Sequence, residues 1–277
     1  MARFRHTSGE KPPLTSTPNY TATVDGQTRG RYARSVSRIP PQVTVVALPG
    51  TGSDADFAAR AFGPAAAAHR LRLRAVEPDP KAVIASCTAA LDAAAAHGPV
   101  LAAGISLGAA IALDWAAAHP TAVVGVVTAL PAWTGAETAA CPAALSAAVT
   151  AEQLRADGLE AVIGRMRASS PAWLAEALTQ SWRGQWPHLP QALDEAAGYA
   201  WPTLEQLAAS DVPVAVVGAE DDPVHPIAVA EQWTATLPQA GLRRVTLAEL
   251  GADPAILGRA GFAELDALLS TSAPSRA

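Results

Sequence analysis

Cysteine is nearly absent. Cys87 and Cys141 are the only two in 277 residues. They make no disulfide framework, and no Cys/His spacing suits zinc. The expectation is a reduced, cytoplasmic setting with no metal. Lysine is almost missing too, with only Lys11 and Lys81, so arginine carries most of the positive charge. Basic residues gather in no folded-looking segment and the formal net charge is −5. That balance excludes nucleic acid as a partner. Charged residues are scarce, at 16% against 50% hydrophobic, which is a globular composition and not a disordered one. An unbroken apolar span is also lacking. Residues 100–118 have the length, but Gly104, Ser106, Gly108 and Asp114 interrupt them, so no membrane span is expected. The basic start MARFRHTSGEKPP has no apolar stretch behind it, so no signal peptide is expected. The one Gly-rich loop, Gly50 to Gly52, lacks a phosphate-binding lysine, and no cofactor is expected. The chain carries no internal repeat, and its oligomeric state is left open.

What is there is an alternation of strand and helix signals. Residues 1–17 are polar and Pro-rich and read as a flexible tail. Residues 20–36 read as a hairpin around Asp25-Gly26. The spacing then predicts strands over 43–48, 71–76, 100–105, 123–130, 212–217 and 244–247. Helices are predicted over 54–62, with Ser53 as N-cap, and over 81–97, 107–119, 227–237 and 255–269. Such an order implies an α/β fold with a mostly parallel central sheet flanked by helices. Between residues 132 and 205 the alternation stops and only helical segments are read. The domain expectation is a core of 18–131 and 206–277 with a helical cap insertion of 132–205.

The strongest motif is Gly104-Ile105-Ser106-Leu107-Gly108. A buried strand signal precedes it and a small-residue helix follows. A serine hydroxyl is a weak nucleophile unless exposed and aligned with a base. A sharp strand-to-helix turn exposes it, strains the backbone at the serine, and demands small residues two positions away on either side. Gly104 and Gly108 meet that demand. The helix N-terminus is then aimed at the serine, where it favours a developing oxyanion.

On these residues the chain resembles the α/β-hydrolase superfamily over roughly residues 40–270. The resemblance implies a serine nucleophile, Ser106, and an oxyanion hole from the backbone N–H groups of Thr51 and Leu107. Thr51 lies in Leu48-Pro49-Gly50-Thr51-Gly52-Ser53, with Pro49 where the family often has histidine. It also implies a late acid. Asp222 has Pro226 four residues on, as the family's acid turn does, while Asp221 has the commoner spacing from Gly218. The chain departs from the family at the base. The family's histidine follows the last strand, but here residues 245–250 lead into Gly251-Ala252-Asp253-Pro254, and Ala252 stands at its place. No histidine follows His225. His225, on the acid turn, and His188, beside Trp186, are the candidates, with Glu249 and Asp253 near the vacant position. His6 lies in the tail, and His69, His97 and His119 fall at predicted helix ends.

Five of seven tryptophans fall in the insertion: Trp133, Trp173, Trp182, Trp186 and Trp201. They suggest an apolar pocket roof, with Trp133, Trp186 and His188 as pocket residues. Three functions stay open. One is a serine hydrolase of esterase type, acting on a small or medium apolar acyl ester or thioester with an atypical or incomplete catalytic triad. Another is a degraded hydrolase fold that binds an apolar ligand or a protein. The third is a cyclase- or lyase-type enzyme in the same pocket.

Overall fold

The β-branched runs read from the sequence are strands buried on both faces, and they order the molecule. Residues 37–271 are described in a computed structural model. The expected tail and hairpin lie outside those residues. The strands are β1 (Thr44–Leu48), β2 (Arg72–Ala75), β3 (Val100–Ile105), β4 (Val123–Ala129), β5 (Val214–Ala219) and β6 (Ala240–Val245). They form one parallel sheet in the order β2-β1-β3-β4-β5-β6. The central strands β3 and β5 are buried at every residue. The outermost described strands carry the charge instead: Arg72 and Arg74 on β2, Arg243 and Arg244 on β6.

Helices cover both faces, as parallel strands require. The core helices are α1 (Ala55–Ala68), α2 (Val83–Ala95), α3 (Leu107–Ala118), α9 (Ile227–Thr236), α10 (Leu247–Ala252) and α11 (Ala255–Thr271). Phe57, Phe62 and Ala65 of α1 share one apolar core with Leu257, Phe262 and Leu265 of α11. On the other face α2, α3 and α9 share a second, around Leu91, Leu113 and Trp233. Between β4 and β5 lie α4 (Pro142–Asp157), α5 (Leu159–Ser169), α6 (Ala172–Gln185), α7 (Leu189–Ala197) and α8 (Leu204–Ala208). This helical insertion has its own small core, including Ala151, Leu154, Val162, Trp182 and Leu193. No helix among the described residues is long and apolar enough to cross a membrane.

Two expectations are corrected. Helix α1 is capped by Asp54, whose carboxylate accepts the Phe57 N–H at 3.0 Å, and not by Ser53. The last strand ends at Val245. Thr246 and Glu249 then form a reciprocal capping box, so residues 247–252 are helix α10 and not strand.

Sheet order positions the site. The chain leaves β1 toward β2 on one side, then returns to lay β3 on the other. The crevice at the carboxyl ends of β1 and β3 is therefore the topological switch point, where open α/β sheets bind ligands. Register pairs Leu48 with Gly104 there, so the loop after β1 and the turn after β3 are neighbours.

Close helix packing supports this sheet. A Cβ on Gly258 of α11 would sit 2.4 Å from the Ala61 carbonyl oxygen of α1. Gly258→Ala should therefore cost about 1–3 kcal/mol in urea unfolding, by forcing backbones apart. Gly164 in α5 is exposed and faces open space. Gly164→Ala should instead gain up to about 1 kcal/mol from helix propensity.

Candidate active site

The turn between β3 and α3 has the geometry its glycines imply. Ser106 sits at φ 52°, ψ −117°, a strained conformation for a residue with a side chain. Its N–H donates to the Ala129 carbonyl at 2.8 Å, and its own carbonyl accepts the Ala109 N–H at 2.9 Å. A Cβ on Gly104 would meet the Gly108 carbonyl oxygen at 2.1 Å, and one on Gly108 would meet the Pro49 oxygen at 2.5 Å. Both distances are impossible for real atoms, so the turn needs glycine at both positions. Leu107 is the first residue of α3, so the helix gives its N–H no partner.

The loop after β1 lies against this turn. A Cβ on Gly50 would come within 3.4 Å of the Ser106 Cβ, which puts the Gly50-Thr51 peptide beside the serine. Ser53 N–H donates to Gly50 O at 3.0 Å and Gly52 takes φ 66°, so the loop folds back on itself.

The turn after β5 completes the cluster. Asp222 Oδ1 accepts the backbone N–H groups of Val224 at 2.8 Å and His225 at 3.2 Å. Its Oδ2 lies 2.8 Å from His225 Nδ1, and His225 Nε2 lies 3.0 Å from Ser106 Oγ. An ionised carboxylate can only accept, so Nδ1 donates to Asp222, and in the neutral imidazole Nε2 is then the acceptor facing the serine hydroxyl. Burial works to raise the Asp222 carboxyl. The hydrogen bond and charge of His225, with the two backbone N–H groups, outweigh it and hold Asp222 below its ordinary value.

The other candidates fall elsewhere. Asp221 accepts the Leu247 N–H at 2.7 Å and ties the acid turn to α10. Ala252 is exposed at the end of α10. Glu249 belongs to the capping box, and Asp253 pairs with Arg259 at 2.7 Å. His69 bonds Ser37, His97 bonds Ala93 O and His119 bonds Trp115 O, each through Nδ1 at 2.8 Å. His188 and Trp186 line a hollow of about 400 Å³ with Leu154, Arg155 and Gln191, and none of Ser106, Asp222 or His225 lines it. Trp186 and His188 thus line a different hollow from Trp133. Trp133 packs on Trp201 with ring centroids 4.2 Å apart. It lines a larger open hollow of about 650 Å³ with Leu204, Val229 and Pro226, the residue after His225. Burial pushes the Cys87 thiol up to about 12, which removes it as a rival nucleophile. Sequence reasoning missed two buried polar residues of α6, Ser181 and Gln185, that bond the loop after β1. Their spacing of four on a helix was the available signal.

Comparison with known proteins agrees with this architecture. A model of the alpha/beta hydrolase family matches residues 25–260. No curated protein sequence matches the chain. Among solved structures, MGS-M2, an alpha/beta hydrolase enzyme from a Medee basin deep-sea metagenome library, is similar with a TM-score of 0.61 at 15% identity, over 85% of this chain and 91% of that one. A structure from work on carboxylesterases of the thaumarchaeon Nitrososphaera gargenis gives 0.60 at 16% identity, over 83% and 89%. MenH from S. aureus gives 0.58 at 15% identity, over 83% and 92%. At these identities the likeness is one of fold.

The lowered Asp222 carboxyl has a signature in stability. As pH falls, the unfolded chain takes up this proton first. The stabilisation is complete above the ordinary carboxylate value and is lost as pH falls through the lowered one. Thermal unfolding midpoints should therefore drop less for Asp222→Asn than for wild type between about pH 5 and pH 3.

Proposed function

The chain belongs to the alpha/beta hydrolase family, and we propose that it is a serine hydrolase of small or medium apolar acyl esters or thioesters. The observation that carries this reading is the imidazole of His225 between Ser106 Oγ and Asp222. In the first step Ser106 Oγ attacks the acyl carbon while His225 Nε2 takes its proton. Asp222 holds the imidazole in the right tautomer and stabilises the imidazolium. The backbone N–H groups of Thr51 and Leu107 receive the developing oxyanion. His225 then protonates the departing alcohol or thiol. Water, deprotonated by the same nitrogen, frees the acyl group and restores Ser106.

The base thus comes from the acid turn, three residues after the acid, and not from the segment after the last strand. That placement answers the vacancy at Ala252, which alone motivated a degraded binding protein or a non-hydrolytic enzyme. The helical insertion, residues 132–205, serves as a cap. The hollow beside Pro226, with Ala132, Trp133, Leu204 and Val229 on its wall, supports an apolar substrate group. The steps need no metal or cofactor. A cytoplasmic setting fits the two free cysteines.

Two probes test the reading: a fluorophosphonate for Ser106 and p-nitrophenyl butyrate for turnover. Wild type should be labelled, and Ser106→Ala should not be. His225→Ala should lose roughly a thousandfold or more in kcat, whereas His188→Ala should stay near wild type. Turnover of the ester that persists in Ser106→Ala would overturn Ser106 as the nucleophile. Thermal stabilisation by the ester without turnover would point to a binding protein.

A further inference from the structure

The loop that carries Thr51 is held from the far side by α6. Ser181 Oγ donates to the Gly52 carbonyl at 2.7 Å. Gln185 Nε2 donates to the Ser53 carbonyl at 2.8 Å and to Ser181 Oγ at 2.9 Å. Gln180 Nε2 reaches Asp54 Oδ2, the cap of α1, at 3.2 Å. The carbonyls of Gly52 and Ser53 belong to the peptides that follow Thr51, so these bonds fix the backbone immediately beyond the proposed oxyanion donor. Trp182 stands between the two bonding residues in sequence and walls the loop. A Cβ on Gly52 would lie 3.0 Å from its Nε1.

The burial of these polar groups is informative. Ser181 and Gln185 are each only 3% exposed. They lie one helical turn apart on α6, beside the apolar cluster of the insertion. Two buried polar side chains cost stability unless bonded, and apolar residues of similar size would pack there without that demand. Their partners are each other and the carbonyls of this loop. A short chain of satisfied hydrogen bonds is rigid and specifies one geometry. Within the loop the one backbone tie is Ser53 N–H to Gly50 O; Gly50 and Gly52 flank Thr51, and Gly52 is in the left-handed region.

We propose that Ser181 and Gln185 are positioning residues: from the insertion they set the Thr51 N–H that receives the oxyanion in the core. This inference rests on the reading of Ser106 as nucleophile. Neither residue touches the reacting atoms. They act through the loop, so their loss removes transition-state stabilisation and leaves ground-state binding in place. The oxyanion donor is then set only while α6 is seated on the core.

The test compares Ser181→Ala, Gln185→Leu and Ser181→Thr with wild type. Leu265→Ala weakens the core where α11 packs against Gly125 of β4 and removes no bond to the loop. With p-nitrophenyl butyrate, Ser181→Ala and Gln185→Leu should lose roughly tenfold to a hundredfold in kcat, with KM within about twofold. Ser181→Thr, which keeps the hydroxyl, should recover most of that loss. Leu265→Ala should lower the unfolding midpoint and keep its kcat. Wild-type kcat in both loop variants overturns the proposal, and so does an equal kcat loss in Leu265→Ala. Amide hydrogen exchange over residues 48–57 reads the clamp without any substrate. Exchange should quicken in Ser181→Ala and Gln185→Leu, and unchanged exchange also overturns the proposal. A wild type that neither turns over nor takes the fluorophosphonate label defeats the hydrolase reading and the role in turnover with it. The exchange result then still decides the clamp.

Discussion

A serine hydroxyl gives up its proton only to a base it touches, and in this chain the contact is a 3.0 Å approach between Ser106 Oγ and His225 Nε2. That approach depends on two separate pieces of backbone. The strained turn after β3 thrusts the hydroxyl out, which the sterics at Gly104 and Gly108 permit. The turn after β5 holds the imidazole, because Asp222 bonds both its ring nitrogen and the backbone N–H beneath it. Asp222 and His225 are three residues apart, so their mutual geometry is local and is not left to the docking of distant loops. The sheet need only deliver the whole turn to the carboxyl end of β5, two strands from Ser106.

The segment after β6 takes no part in this contact. In place of a loop that presents a histidine, the chain after β6 builds α10, with Thr246 and Glu249 capping it and Ala252 turned to solvent. Asp221 uses the N-terminus of α10 as an anchor for the acid turn. Helix α11 then packs on α1 and the sheet through glycines that let backbones meet. The end of the chain thus supports the site from behind. The insertion between β4 and β5 approaches from the front, where Ser181 and Gln185 grip the loop after β1.

Much of this was legible in the residues, for reasons that can be named. Strands β1, β3, β4 and β5 are runs of small or β-branched apolar residues buried on both faces, and such runs admit few other readings. The elbow was legible because its glycines answer a steric need, seen in the 2.1 Å clash a Cβ on Gly104 would make. Boundaries were harder. Ser53 and Asp54 are both good caps, and only the bond to Phe57 decides between them. Val245-Thr246-Leu247 looks extended, but the reciprocal bonds of Thr246 and Glu249 favour helix from Leu247 onward. His225 was legible as the best candidate base but not as the neighbour of Ser106, because the two are 119 residues apart and only the sheet brings them together. Ser181 and Gln185 stand four apart on a helix, and only their burial against the loop shows what they touch.

The most direct measurement is a crystal structure of the chain with Ser106 covalently phosphonylated. The account predicts that the phosphoryl oxygen accepts the N–H groups of Thr51 and Leu107. It also predicts that His225 Nε2 stays within hydrogen-bond reach of the adduct while Nδ1 remains on Asp222. An adduct beside a different histidine, or with no imidazole in reach, would contradict it.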